Sequence, residues 1–340
     1  MKSNIIQDKK TYQMHLQKEA EFWGKMAEER WKGGVPLTMD YQLATRYRVK
    51  REALGWGDYI QDPELEALTP FGSARTKFIE FAKKSSGERA LDLCCGAGFL
   101  TLELARAGKS VDAIDYSERE INVAKKYQRG LKEQPLGKIN WIIADLNNYK
   151  LPTEEYDLVT AWDGLHHIPN IDRLCNEIYN SLKPGGVFLF CERIWGGEEQ
   201  TFKAKISQAF EITLNVCLPL AWPYSKRVKV FKNMLSIIYN KYILKRNVEF
   251  GAKLEQENHG YSTPFEDSIG VEMLSAIGKF FEIANLQKFG AFSEEACRSL
   301  DLPRFLRIPA ILFLSWFDYL WVKSRLLEGK IFMGYAKKRK

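Results

Sequence analysis

The chain has 340 residues, 45% of them hydrophobic and 13% aromatic, with a formal net charge of +7. That is ample for a buried core and bounds the chain to one large domain, or one domain with additions. The six cysteines show no paired metal spacing: Cys94 and Cys95 are adjacent and the others are scattered. With no secretory signal after Met1, the expectation is reduced thiols in a cytoplasmic protein.

Residues 17–29 read as a charged helix with Phe22, Trp23 and Met26 on one side, ended by Gly33, Gly34 and Pro36. A mixed segment follows, rich in Tyr, Trp and Arg. From residue 71 the chain alternates. Strand-like runs at 89–94, 110–115, 139–144, 156–162 and 187–192 are separated by helical patterns at 99–107, 118–131 and 171–182. Such alternation means a doubly wound α/β fold with a mostly parallel sheet and helices on both faces.

Between 195 and 268 the alternation stops, and the stretch reads as an aromatic, basic helical insertion. Its 222–246 part carries Lys226, Arg227, Lys229, Lys232, Lys241, Lys245 and Arg246 with no acid, and 210–222 is apolar. Strand patterns return at 280–292 and 330–335, with a helix over 303–327 between them. Its apolar run, 308–322, falls short of the roughly 20 residues that span a bilayer, so a buried or interfacial helix is expected. The domain division is therefore 1–70, an N-terminal helical and aromatic cap; 71–194, the core; 195–268, the insertion; and 269–340, strands and a helix completing the sheet.

The stretch from Leu91 to Thr101 is a strand, a turn with Gly96 and Gly98, and the start of a helix, the usual form of a nucleotide-cofactor cradle. A dinucleotide fingerprint wants a third glycine where Thr101 stands, which weakens the nicotinamide reading. The second strand ends in Asp115, about 20 residues on, where a ribose hydroxyl pair is usually held. The third ends in Asp145 and Leu146. The fourth opens into Asp163, Gly164, Leu165, His166 and His167, and Glu192 closes the fifth. In open parallel sheets these carboxyl ends converge on one crevice.

The ordered set LDLCCGAG, IDYS, ADL, YDLV, GLHHIPN and LKPGG resembles the class I S-adenosylmethionine-dependent methyltransferases over residues 71–192 and again over the last two strands. The resemblance implies S-adenosylmethionine as cofactor and a Rossmann-like core. It places the methionine part beside the backbone of Gly96 and Gly98, with Cys94 standing at the family's first glycine position and Asp92 near the amino group. It implies further that Asp115 binds the ribose hydroxyls, Asp145 meets the adenine amino group, Leu146 packs on the ring and Asp163 lies at the methionine end. Ala97 and Tyr116 complete the expected cofactor set. Carboxylates suit a ligand bearing a sulfonium and an ammonium group.

Methyl transfer from a sulfonium needs a general base only if the acceptor holds its proton tightly, as a hydroxyl does. His166, His167 and His259 are the candidates, although the LHH turn serves equally to shape the cofactor loop, which is the preferred reading. A metal site lacks a suitably spaced third ligand in sequence, though distant acids could converge. Glu192, Tyr261, Tyr41 and Trp56 are expected to line the acceptor pocket, Glu192 with a salt bridge to Arg193 as its structural alternative.

The acceptor is expected to be a small molecule, of anionic, sugar-containing or lipid-linked kind, methylated on O or N. The basic and apolar insertion adds a peripheral membrane contact to that expectation. A nucleic-acid methyltransferase is the weaker alternative: the charge is moderate and no Asn/Asp-Pro-Pro-aromatic motif follows the fourth strand. A cofactor-binding partner protein without turnover is the remaining one.

Overall fold

The computed structural model describes residues 9–35, 37–40, 63–193, 206–207, 270–300 and 302–338. In chain order the elements are α1 (Lys9–Lys32), α2 (Pro63–Glu66), α3 (Pro70–Lys84), β1 (Arg89–Leu93), α4 (Phe99–Arg106), β2 (Ser110–Asp115), α5 (Glu118–Arg129), β3 (Ile139–Ile143) and β4 (Tyr156–Trp162). A 3-10 turn (Leu165–His167) follows, then α6 (Ile171–Ser181), β5 (Leu182–Arg193), α7 (Gly270–Phe280), β6 (Phe281–Phe289), α8 (Ser293–Ser299), α9 (Arg304–Lys323) and β7 (Ile331–Lys338).

One seven-stranded sheet has the order β3-β2-β1-β4-β5-β7-β6. β1 to β5 pair in parallel, whereas β7 runs antiparallel between β5 and β6. Period-two alternation assigns the two faces. Leu91, Leu93, Val159, Phe188 and Phe190 meet Leu174 and Ile178 of α6 and Met273 and Ile277 of α7. Their neighbours Ala90, Leu158 and Leu189 meet Phe78 of α3 and Leu100 and Leu104 of α4. Each such fully buried Leu, Ile or Phe contributes about 1.5–3 kcal/mol.

The helix starts are chemically marked. Pro70 opens α3 behind Thr69, whose hydroxyl accepts from Gly72 N, and Ser117 caps α5 by accepting from Glu120 N. The carboxyl ends of the five parallel strands form one rim. Ile331 pairs with Arg193 at the end of β5 and with Phe289 at the end of β6. The α8–α9 connection therefore leaves and re-enters the sheet on that same rim.

Candidate functional site

The turn after β1 is built by left-handed backbone. Gly96 and Gly98 have φ of 52° and 87°, and a Cβ on Gly98 would stand 2.5 Å from the Trp141 ring. Cys94 shares the left-handed region at φ 52°, so the family's glycine position keeps its backbone shape with a side chain added. That thiol donates to Gly164 O at 3.4 Å.

Asp92 is buried. Its carboxylate accepts from Thr101 Oγ1 at 2.6 Å and from Thr160 Oγ1 at 3.1 Å. Thr101, the residue that breaks the dinucleotide pattern, thus anchors the acid of the turn. Asp115 joins the turn to β2, accepting from Gly96 N and Ser117 N, both at 2.8 Å. Ala97 points its methyl into a cluster with Leu102 and Val123, so only its backbone lines the turn. Leu146 is buried in the main core.

The fourth and fifth strand ends differ from expectation in one respect. Glu192 does not line an open pocket: it is fully buried and works behind the histidine turn. Its Oε1 accepts from Gly164 N at 2.9 Å and Leu165 N at 2.7 Å, and its Oε2 lies 2.8 Å from His166 Nδ1. Two backbone donors reach the carboxylate because the 3-10 turn directs both amides inward, and that fixes the acid in place. Arg193 pairs instead with Asp163, its Nε donating at 2.9 Å and its Nη2 contacting the second oxygen. Asp163, His166 and Glu192 bring ligand atoms within 4.8 Å of one another, so distant acids do converge on the histidine. Arg193 and the two amides already engage both carboxylates.

Sequence reasoning missed most of what α1 contributes. It begins at Lys9, eight residues before the expected helix, and lies along α5. Gly24 permits the approach, since a Cβ there would stand 2.6 Å from Arg119 Cβ. Ser117 Oγ donates to Ala20 O at 3.1 Å, and Arg119 pairs with Glu28 at 2.8 Å. The helix then reaches the rim at two places, after β3 and after β4. Tyr12 donates to Asp145 Oδ2 at 2.8 Å and packs with Leu16 beside Tyr116. Glu19 lies 3.2 Å from His167 Nδ1, and Trp23 sets its ring edge-on to His167 at 5.7 Å. Asn147 and Asn148 also donate to Asp145. The Trp23 and Met26 side was legible; the reach of Tyr12 and Glu19 was not, because nothing near them in sequence marks it. His259, Tyr261, Tyr41 and Trp56 lie outside the described residues.

Electrostatically the turn is an acidic cage. Burial pushes the Asp92 carboxyl up to about 7. Burial also raises Asp115, against the bonds it accepts from Ser117 and Gly96. Glu120 is driven well above the usual range by burial and then by Asp115. Burial opposes ionisation of Asp163 too, but the Arg193 guanidinium holds its carboxyl below the usual range. Three neighbouring acids with raised proton affinity fit a ligand that brings positive charge, as a sulfonium with an ammonium does. The narrow glycine turn fits close backbone approach.

Fold and site together define an open α/β domain whose carboxyl rim carries an acidic glycine turn suited to a cationic nucleoside ligand. Residues 90–186 match the family model described as a methyltransferase domain, so this part of the chain is a methyltransferase domain of the class I S-adenosylmethionine-dependent kind that the motifs resemble. Among curated relatives, the demethylmenaquinone methyltransferase of Lactobacillus johnsonii is 35% identical over 131 residues, 38% of this chain and 53% of that protein. The 2-phytyl-1,4-naphtoquinone methyltransferase of Nostoc punctiforme is 36% identical over 110 residues, 32% and 47% of the two chains. The ubiquinone biosynthesis O-methyltransferase of Coxiella burnetii is 30% identical over 146 residues, 42% and 61%. The chain spans roughly half the length of these relatives.

Proposed function

We propose that this chain methylates an oxygen of a small, lipid-linked, quinol-like acceptor, using S-adenosylmethionine. The observation that carries the reading is the Glu192–His166 pair on the rim beside the acidic glycine turn. S-adenosylmethionine supplies a methyl group already activated on a sulfonium, which leaves the protein to align, exclude water and remove a proton.

Asp115, Asp92 and the backbone of Gly96 and Gly98 hold the cofactor, with Asp145 and Leu146 at the adenine end. Glu192 fixes the tautomer of His166: with the proton on Nδ1 directed at Oε2, Nε2 carries the free pair and takes the acceptor's hydroxyl proton. Glu192 is a positioning residue in this scheme. Trp23 and His167 narrow the entrance from the α1 side. The acceptor class rests on the three relatives, each of which is named for a quinone or for ubiquinone biosynthesis.

The test is methyl transfer from labelled cofactor to reduced quinones and to lipid extract. His166→Gln is expected to lower kcat by roughly 100- to 10,000-fold with cofactor affinity unchanged by calorimetry. Glu192→Gln is expected to displace the acidic limb of the pH–rate profile and to lower kcat less. Full activity in His166→Gln, with loss in His167→Gln, overturns the assignment of the base. Labelled product confined to polar metabolites overturns the acceptor class.

A further inference from the structure

Outside the cofactor rim, the least accounted-for surface is one side of α9. Contrary to the expectation from the 308–322 run, the full helix Arg304–Lys323 is long and apolar enough by length and composition to cross a membrane, because Phe305 and Leu306 extend the apolar stretch; yet it is docked. Its inner side holds Ile311, fully packed among Leu65, Cys297 and Leu300, and Asp318, fully buried. The Asp318 carboxylate accepts from the N–H groups of Ala291, Phe292 and Ser293 at 2.7–3.1 Å. A helix tied to the sheet rim through a buried carboxylate does not leave to span a bilayer.

Its outer side is another matter. Phe305, Leu312, Phe313, Trp316, Tyr319 and Leu320 recur at helical spacing and are all exposed, Phe305 to 74%, Phe313 to 60% and Trp316 to 57%. Such a continuous apolar stripe marks an interaction surface. The only acid within α9 is Asp318, which faces inward. Basic residues stand at the ends of the stripe: Arg304, which is paired with Glu64, and Arg307 in its first turn, Lys323 and Arg325 at its last. Lys323 Nζ lies 5.4 Å from the Tyr319 ring centre, an aliphatic stem along the stripe with its charge at the edge.

We propose that the α9 stripe docks on an anionic lipid bilayer, with the helix lying in the interface plane. Three features select this occupant. Aromatic residues with one polar end, Trp316 and Tyr319, suit the headgroup boundary. Basic residues outnumber acids around the stripe, with Lys323 and Arg325 at its end and Glu64 the acid at its start, and α9 itself presents no acid on its outer side, the pattern of an interfacial helix on anionic lipid. The α8–α9 connection also leaves and re-enters the sheet beside Arg193, so docking turns the cofactor rim toward the lipid. The 195–268 insertion, for which membrane contact was expected, lies outside the described residues apart from 206–207; α9 is a different element, and its docking does not depend on the identity of the acceptor.

The full chain is floated with phosphatidylcholine vesicles, with and without phosphatidylglycerol. The expected result is co-flotation that needs phosphatidylglycerol and weakens with salt. Phe313→Glu combined with Trp316→Glu is expected to lower partitioning at least about tenfold. Both side chains are exposed, so the thermal midpoint and cofactor binding of the double variant stay at wild-type values; that pair of readouts also separates this test from the methylation assay. Absence of wild-type flotation, or flotation unchanged in the double variant, overturns the proposal. A wild-type dimer in sedimentation that the double variant converts to monomer, without vesicle binding, assigns the stripe to a second copy of the chain and overturns it as well.

Discussion

Asp115 shows how one side chain holds a site together. Its two oxygens are spent on Gly96 N and Ser117 N, which ties the glycine turn to the cap of α5 before any ligand arrives. Asp115→Asn keeps the volume but replaces one acceptor oxygen with a donor, setting it against an N–H group. Cofactor dissociation is expected to weaken roughly 100-fold, near the 3 kcal/mol that loss of a charged partner costs, as read by calorimetry. Unchanged affinity would place the cofactor elsewhere. Cys94 teaches the complementary lesson. As a letter it departs from the family pattern, and as a conformation it does not, because φ 52° is retained. Burial pushes its thiol well above the usual range, so it stays a protonated neighbour of Gly164 O rather than a nucleophile.

At the scale of elements, the first four parallel strands were readable to within a residue or two, since buried strands flanked by capped helices leave strong periodic signals, whereas β5 begins at Leu182, five residues before the expected 187. The carboxylates at the strand ends were readable for the same reason: topology alone brings them to one rim. Two things were not. The length of α1 was hidden by a mixed apolar and charged face, and its reach to Asp145 is a contact across 133 residues. The role of Glu192 was hidden because a strand-end acid reads alike whether it faces a pocket or backs a histidine. For α9, periodicity suggested burial or an interface, and the decisive feature is Asp318. Asp318→Ala leaves three buried N–H groups without their acceptor and is expected to cost about 3–5 kcal/mol. A denaturation midpoint close to wild type would show that α9 is held by Ile311 and its neighbours alone.

For the whole molecule, the acids of the cage act as a sum. Asp92, Asp115 and Glu120 all have raised proton affinity in the folded chain, so the folded state binds more protons than the unfolded one. Their contribution to stability is fully present below the usual carboxylate range and is lost as pH rises through about 7, the value for Asp92. The ligand-free protein is thus expected to lose thermal stability between about pH 5 and pH 8. A cationic cofactor meets the opposite trend: it binds best when the cage is ionised, so its affinity rises over the same interval. Calorimetry at about pH 6 and pH 8 should show tighter binding, with less proton release, at the higher value. Equal affinities at both would mean that the field of the cage does not reach the ligand.

The docking of α1 also bears on how the chain acquires its shape. This helix emerges from the ribosome before any strand of the sheet, yet its partners are Ser117, Arg119, Asp145 and His167. None of these surfaces exists until β2, β3 and β4 have paired. Long-range contacts of this kind close late, after the loop entropy of the intervening chain has been overcome. α1, made before any strand of the sheet, is therefore among the last elements to settle, and its contacts with the rim are completed only on a finished sheet.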